Sequence, residues 1–249
     1  MKALLKLAAF DFRLYLRDWI TIFWVLVYPV LMLLLFGSMF GDQPGEVSGS
    51  RYIDDYVPAL CALNVMSVAL FTLNINMITY RENGILRRFQ VTPIRKSVVL
   101  ASHAIQGIVL VLTGAVEIIV IAKLVWDIQI GFTSLVTLIG CLLFGSFGFF
   151  SLGFAMSGLA STPGAASGFA MALFFPMLFL SGIGMPLDYF PQFLQTASQW
   201  IPMTYLVNLV QGVWQGQGWT GFWPELTVLS VFAAISVALA FILFRWENR

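Results

Sequence analysis

Few side chains in this sequence can do chemistry, and their spacing argues against most kinds of it. His103 is the single histidine, and no HExxH pattern or paired-cysteine spacing accompanies it, so zinc would have no ligand set. Cys61 and Cys141 both lie in apolar runs, where a disulfide framework would serve no loop, and they read as small core residues. No stretch follows G-x-x-x-x-G-K-[ST], and there is no Gly-Lys pair, so the phosphate-cradling loop of an ATPase is missing. Glu117 is the one carboxylate well inside an apolar run, a costly position unless it is paired, protonated or facing a cavity. It suits contact with a cationic substrate, or a bond to a polar group of a neighbouring helix. Asn64, Ser67 and Asn74 recur at spacings of three and seven, which puts them with Phe71 on one helix face. That face must meet either another helix or a water-filled translocation path.

The elements that position these residues follow from composition. The chain has 249 residues, 59% hydrophobic and 10% charged, against about 25% charged in an ordinary soluble domain. Apolar runs of roughly 20 residues recur, each long enough to cross a hydrocarbon core of about 30 Å as a helix. They predict an all-α polytopic membrane protein with six spans, over 20–40, 57–80, 98–125, 132–160, 165–185 and 225–244. The opening stretch has Leu5, Ala8, Phe12 and Leu16 on one face and Lys2, Lys6, Arg13 and Arg17 on another, which predicts an amphipathic helix on the membrane surface over 1–19. Ser161 to Gly164 forms a turn that makes spans four and five an antiparallel hairpin. Gly164 with Gly168, and Gly153 with Ser157, predict close helix packing. The stretch 186–221 is too polar to span yet rich in Trp and Tyr, as suits a membrane–water interface. The net charge of +1 suggests no nucleic-acid partner. Of the 13 Lys and Arg residues, all but Arg51 and Lys123 fall on one side of this topology, which predicts cytoplasmic termini and a cytoplasmic loop between spans two and three.

That loop contains Tyr80-Arg81-Glu82-Asn83-Gly84-Ile85-Leu86-Arg87-Arg88-Phe89-Gln90-Val91-Thr92-Pro93. Ile85, Leu86 and Phe89 can share one face of a short helix that also presents Arg87 and Arg88, with Pro93 ending it. Such a helix, joined rigidly to two spans, can receive force from a cytoplasmic partner, although a basic loop of this kind also satisfies the positive-inside rule by itself.

The segment resembles R-E-x-G-x-L-x-R-x-x-x-T-P of the ATP-binding-cassette (ABC) type-2 permeases, the membrane subunits of bacterial ABC exporters. The matching residues are Arg81, Glu82, Gly84, Leu86, Arg88, Thr92 and Pro93. A second stretch, Phe179-Leu180-Ser181-Gly182, then Pro186-Leu187, Pro191 and Pro202-Met203-Thr204-Tyr205, is similar to that family's F-L-S-G…P-L…P…N-P-x-T-Y. The resemblance implies one transmembrane domain over 1–249, with a six-helix bundle at 20–244, a coupling helix at 82–90 and an outward re-entrant segment at 186–221. It implies a permease that is not an enzyme and holds no cofactor, while ATP and Mg sit on a separate nucleotide-binding subunit. A second copy or a homologous permease completes the dimer, in the lipid of a bacterial plasma (inner) membrane. By the same resemblance, Glu82, Gly84, Ile85, Leu86, Arg87, Arg88, Phe89, Thr92 and Pro93 contact the ATPase; from their placement in the spans, Asn64, Ser67, Phe71, Asn74 and Glu117 are candidates for the translocation path. The apolar spans favour export of an amphipathic drug, antibiotic or lipid; polysaccharide or glycolipid export is the alternative. An ion-driven secondary transporter would need more intramembrane charge than Glu117 supplies.

Overall fold

The computed structural model describes residues 19–45, 50–86, 96–184, 187 and 190–244. The helices in chain order are α1 (19–40), α2 (Tyr52–Glu82), α3 (Lys96–Trp126), α4 (Phe132–Ser157), α5 (Pro163–Leu180), α6 (Gln192–Ser198), α7 (Pro202–Trp214) and α8 (Trp223–Leu243). All but α6 and α7 are long and apolar enough to cross a membrane, which makes six candidate spans. The described residues contain no strand, only an isolated bridge between Pro44 and Arg51. The expected amphipathic helix lies outside the described residues apart from Trp19, which opens α1.

The bundle is built around α2. A helix that is apolar all round belongs inside a protein, and the apolar stretch of α2 is entirely enclosed. It packs against α1, α3, α4, α5 and α7. At 31 residues it is about 46 Å long, more than the hydrocarbon core requires. It starts at Tyr52, five residues before the predicted Val57. Asp54 and Asp55 in the first turn favour that earlier start, because carboxylates there face the positive end of the helix dipole. Pro58 lies inside the helix, where it removes the amide that would otherwise bond the Asp54 carbonyl.

Small residues let the other helices close in. Gly153 of α4 lies so near the Ala69 carbonyl of α2 that a Cβ would overlap it. Gly164 and Gly168 behave differently: nothing lies within 4 Å of a Cβ built on either, so the close packing expected of that pair is not made within the chain. The turn between α4 and α5 is present, with Thr162 capping α5 by accepting from the Ala165 amide at 3.3 Å.

One end of the bundle is tied by a polar cap. Arg51 bonds Asp54 at 3.1 Å and donates to the Trp126 carbonyl at 3.1 Å, satisfying the C-terminus of α3. The bond to Asp54 is the main reason the Arg51 guanidinium is raised above its ordinary value, against a smaller loss of hydration. The Trp126 indole fills the notch at Gly37 of α1, where a Cβ would be 2.5 Å away. Asp55, buried, accepts from Gln215 at 2.7 Å and from Ser50 at 3.0 Å, while its carbonyl accepts from Gln211 at 3.1 Å. These bonds fix α7 to the start of α2. The stretch predicted as interfacial thus folds into α6 and α7, and the inner face of α7 (Leu206, Leu209, Val210, Val213) is buried on α2, α4 and α8.

Candidate functional site

Asn64, Ser67, Phe71 and Asn74 lie on α2 and are fully enclosed by neighbouring helices of the chain. The surroundings of Asn64 trace back to Pro29 in α1. A proline has no N–H, so the Val25 carbonyl four residues earlier loses its helical donor. The helix forms a π turn over Phe23–Val27, and Asn64 Nδ2 donates to the Val25 carbonyl at 3.0 Å. On its other side Asn64 occupies a notch on α3 at Gly114, where a Cβ would overlap the amide. One side chain thus joins α1, α2 and α3. Ser67 turns back on its own helix and donates to the Leu63 carbonyl at 3.0 Å. Asn74 is buried with neither amide atom hydrogen-bonded.

Phe71 belongs to a second π turn, Val68–Leu73, which packs on the first. Its ring stacks on Trp24 with centroids 4.6 Å apart and planes at 13°. Phe174 of α5 meets Phe71 edge-on at 5.2 Å and Trp24 at 5.5 Å. Tyr28 and Phe175 extend the cluster. Its interior is closed, but Phe23 and Phe175 at its rim are 41% and 38% exposed, so the cluster opens on the surface shared by α1 and α5. π turns recur at functional sites, and stacked aromatic faces accept planar or cationic groups. Trp24 and Tyr28 were not candidates from sequence, since nothing in one apolar helix tells which aromatics another will bring to it.

Glu117 sits on α3 three residues beyond Gly114, half-buried, flanking the exposed stripe of Thr113, Val116 and Leu124. It is not part of the Asn64 junction.

At the other end of α2 the coupling candidates divide. The helix runs through Glu82 and ends at Asn83, and Gly84 follows with φ +65°, the left-handed conformation that stops a helix at low cost only for glycine. Glu82 is exposed. Leu86 is 1% exposed and packed on Tyr80 and Val99, with Ile85 partly buried beside it. Its apolar character is used to hold the chain against α2 and α3. Arg87, Arg88, Phe89, Thr92 and Pro93 lie outside the described residues. Arg81 is buried and donates to the Ser157 carbonyl at 2.9 Å and to the Ala160 carbonyl. The sequence placed Arg81 in a motif and among the basic residues of one side, without showing that it points inward.

Six membrane-length helices, one of them enclosed by the others, with two short helices between the fifth and sixth in sequence, define a polytopic membrane protein. The chain belongs to the ABC-2 type transporter family, whose sequence model matches residues 2–214. It is 22% identical over 242 residues to YvfS of Bacillus subtilis, named as a transport permease, covering 96% of both chains. It is 25% identical over 228 residues to the daunorubicin resistance ABC transporter permease protein DrrB1 of Streptomyces coeruleorubidus, covering 90% of this chain and 79% of that one. With the inner membrane transport permease YhhJ of Escherichia coli it shares 23% identity over 184 residues, 73% of this chain and 49% of that one. These relatives are transport permease components, and the family implies an ATP-binding subunit as partner.

Proposed function

We propose that the chain is the membrane subunit of an ATP-driven exporter that moves an amphipathic small molecule, a drug, antibiotic or lipid, out across a bacterial plasma membrane. Two copies, or this chain and a homologous permease, enclose the path, and a separate ATPase subunit docks on the cytoplasmic side near 82–90. Both termini are cytoplasmic. The single observation that supports the substrate class is the aromatic cluster of Trp24, Phe71, Phe174 and Phe175, which reaches the surface through Phe23 and Phe175 on α1 and α5. Such a surface offers stacking and apolar burial and few hydrogen bonds, which suits an amphipathic ligand better than a polysaccharide. The daunorubicin resistance permease among the relatives agrees with this class. Movement follows from the ATPase binding ATP differently in two states of the bundle.

The test is reconstitution of the chain with its ATPase in liposomes, followed by ATP hydrolysis across a panel of amphipathic drugs, lipids and lipid-linked oligosaccharides. Stimulation by an amphipathic drug or a lipid, lost in Phe175→Ala, is the expected result. Stimulation by oligosaccharides alone would replace the substrate class. Failure of any ABC ATPase to co-purify would remove the exporter itself.

A further inference from the structure

A charged side chain is rarely buried without full compensation, because its hydration is lost. Arg81 is 8% exposed, and it is compensated in a particular place. Its two guanidinium NH2 groups donate to the carbonyls of Ser157, the last residue of α4, and Ala160, in the turn before α5. The carbonyls of a terminal helical turn have no intrahelical donor, and a guanidinium fork suits two of them at once. The fork reaches across from α2, 76 and 79 residues away in sequence.

Both sides of this clasp are stiff. On the α2 side, the helix stops two residues later at Asn83, Gly84 turns left-handed, and Leu86 docks on Tyr80 and Val99, so residues 82–86 are held to the end of α2. On the other side, Thr162 caps α5 directly after the turn and Pro163 starts it, so α5 begins three residues beyond the Ala160 carbonyl that Arg81 holds. Gly158, in the same turn, lies so close to the Leu243 carbonyl of α8 that a Cβ would overlap it. At Gly164 and Gly168 of α5, nothing lies within 4 Å of a built Cβ. The start of α5 is thus clasped by Arg81, while one face of the helix beyond it is unencumbered.

We propose that Arg81 is a positioning residue that passes displacement of the segment after α2 to the α4–α5 turn and so to α5. This rests on the proposed function, in which an ATPase moves that segment. Without the guanidinium, the segment moves and α5 does not follow.

The experiment uses the full permease–ATPase complex with Cys61 and Cys141 replaced by alanine and nitroxide labels at Leu124→Cys on α3 and Gly168→Cys on α5, both exposed sites. Label-to-label distances are measured by pulsed electron resonance without nucleotide and with ATP, Mg and vanadate. In the otherwise unaltered complex, nucleotide shifts the distance distribution by several ångströms. In Arg81→Met, which keeps the aliphatic stem, the ATPase co-purifies and hydrolyses ATP within twofold of the unaltered complex, but the distribution stays where it is without nucleotide. Arg81→Lys, which keeps a donor in place, recovers at least half of the shift. A merely structural arginine would change yield or thermal stability and leave the nucleotide-driven shift intact. A full shift in an assembled Arg81→Met complex overturns the proposal. If that variant does not reach the membrane, Arg81→Gln is measured instead, and an undiminished shift overturns the proposal in the same way. If the unaltered complex neither hydrolyses ATP nor shifts, the proposed function fails, whatever Arg81 does.

Discussion

At the scale of single residues, the junction of Asn64, Val25 and Gly114 shows how one backbone defect organises three helices. Pro29 frees the Val25 carbonyl, Asn64 satisfies it, and Gly114 makes room for the amide. Each partner is on a different helix, so the effects of changing them must be coupled. Gly114→Ala is expected to destabilise the permease by about 1–3 kcal/mol, because a methyl enters space already filled. Asn64→Ala is expected to cost about 1–3 kcal/mol, because the Val25 carbonyl loses its donor in a dry site. The double variant should be less destabilised than the sum, with a coupling of about 0.5–3 kcal/mol. Unfolding in detergent, followed by circular dichroism, measures all three. Strict additivity would mean that Asn64 does not occupy the Gly114 notch. From the sequence, Asn64 was legible as a polar residue on a helix face that needed a neighbour. Its neighbour was not, because the cause sits in Pro29, 35 positions away and on another helix.

At the scale of elements, periodicity identifies an apolar face but not what covers it. The spacing of Ile85, Leu86 and Phe89 makes a face suited to a partner groove, yet Leu86 is covered by Tyr80 and Val99 of the same chain. Leu86→Ala is therefore expected to lower the stability of the isolated permease by about 2 kcal/mol, the low end for a buried leucine because the cluster around it is small. Its thermal midpoint in detergent, measured without any ATPase present, should fall. An unchanged midpoint combined with loss of the ATPase subunit would return Leu86 to the docking face. Gly84→Ala should cost about 1–2 kcal/mol by the same measurement, since φ +65° forces a Cβ into the left-handed region. A Gly84→Ala protein as stable as the parent would mean the helix ends some other way. The six spans themselves were readable, because about 20 apolar residues in a row admit few other structures. Their ends were less so: α2 gains a turn from Asp54, Asp55 and the Arg51 cap, and hydropathy alone penalises those same charges.

At the scale of the whole molecule, the fold groups the ends of the helices and the charges assign them to sides. Asp55 holds Gln215, and Arg51 holds the Trp126 carbonyl, so the loop after α1, the start of α2, the end of α3 and the end of α7 share one end of the bundle. Asn83, past the last turn of α2, lies at the other end, with the α4–α5 turn that Arg81 clasps. The only two basic residues that the sequence sets apart from the other eleven, Arg51 and Lys123, are both at the first end. Basic loops are retained in the cytoplasm during insertion, so in the proposed orientation the end bearing Gln217 faces outward and the end bearing Asn83 faces inward. Single cysteines at Gln217 and Asn83, both exposed positions, in a protein with Cys61 and Cys141 replaced by alanine, test this directly. A membrane-impermeant maleimide added to intact cells should label position 217 and spare position 83, and permeabilisation should make both reactive. Labelling of 83 but not 217 in intact cells would invert the molecule and with it the side on which an ATPase could dock. Labelling of both or neither in intact cells would mean that the two ends of α2 are not on opposite sides of the membrane, which a helix of about 46 Å running through the centre of the bundle does not allow.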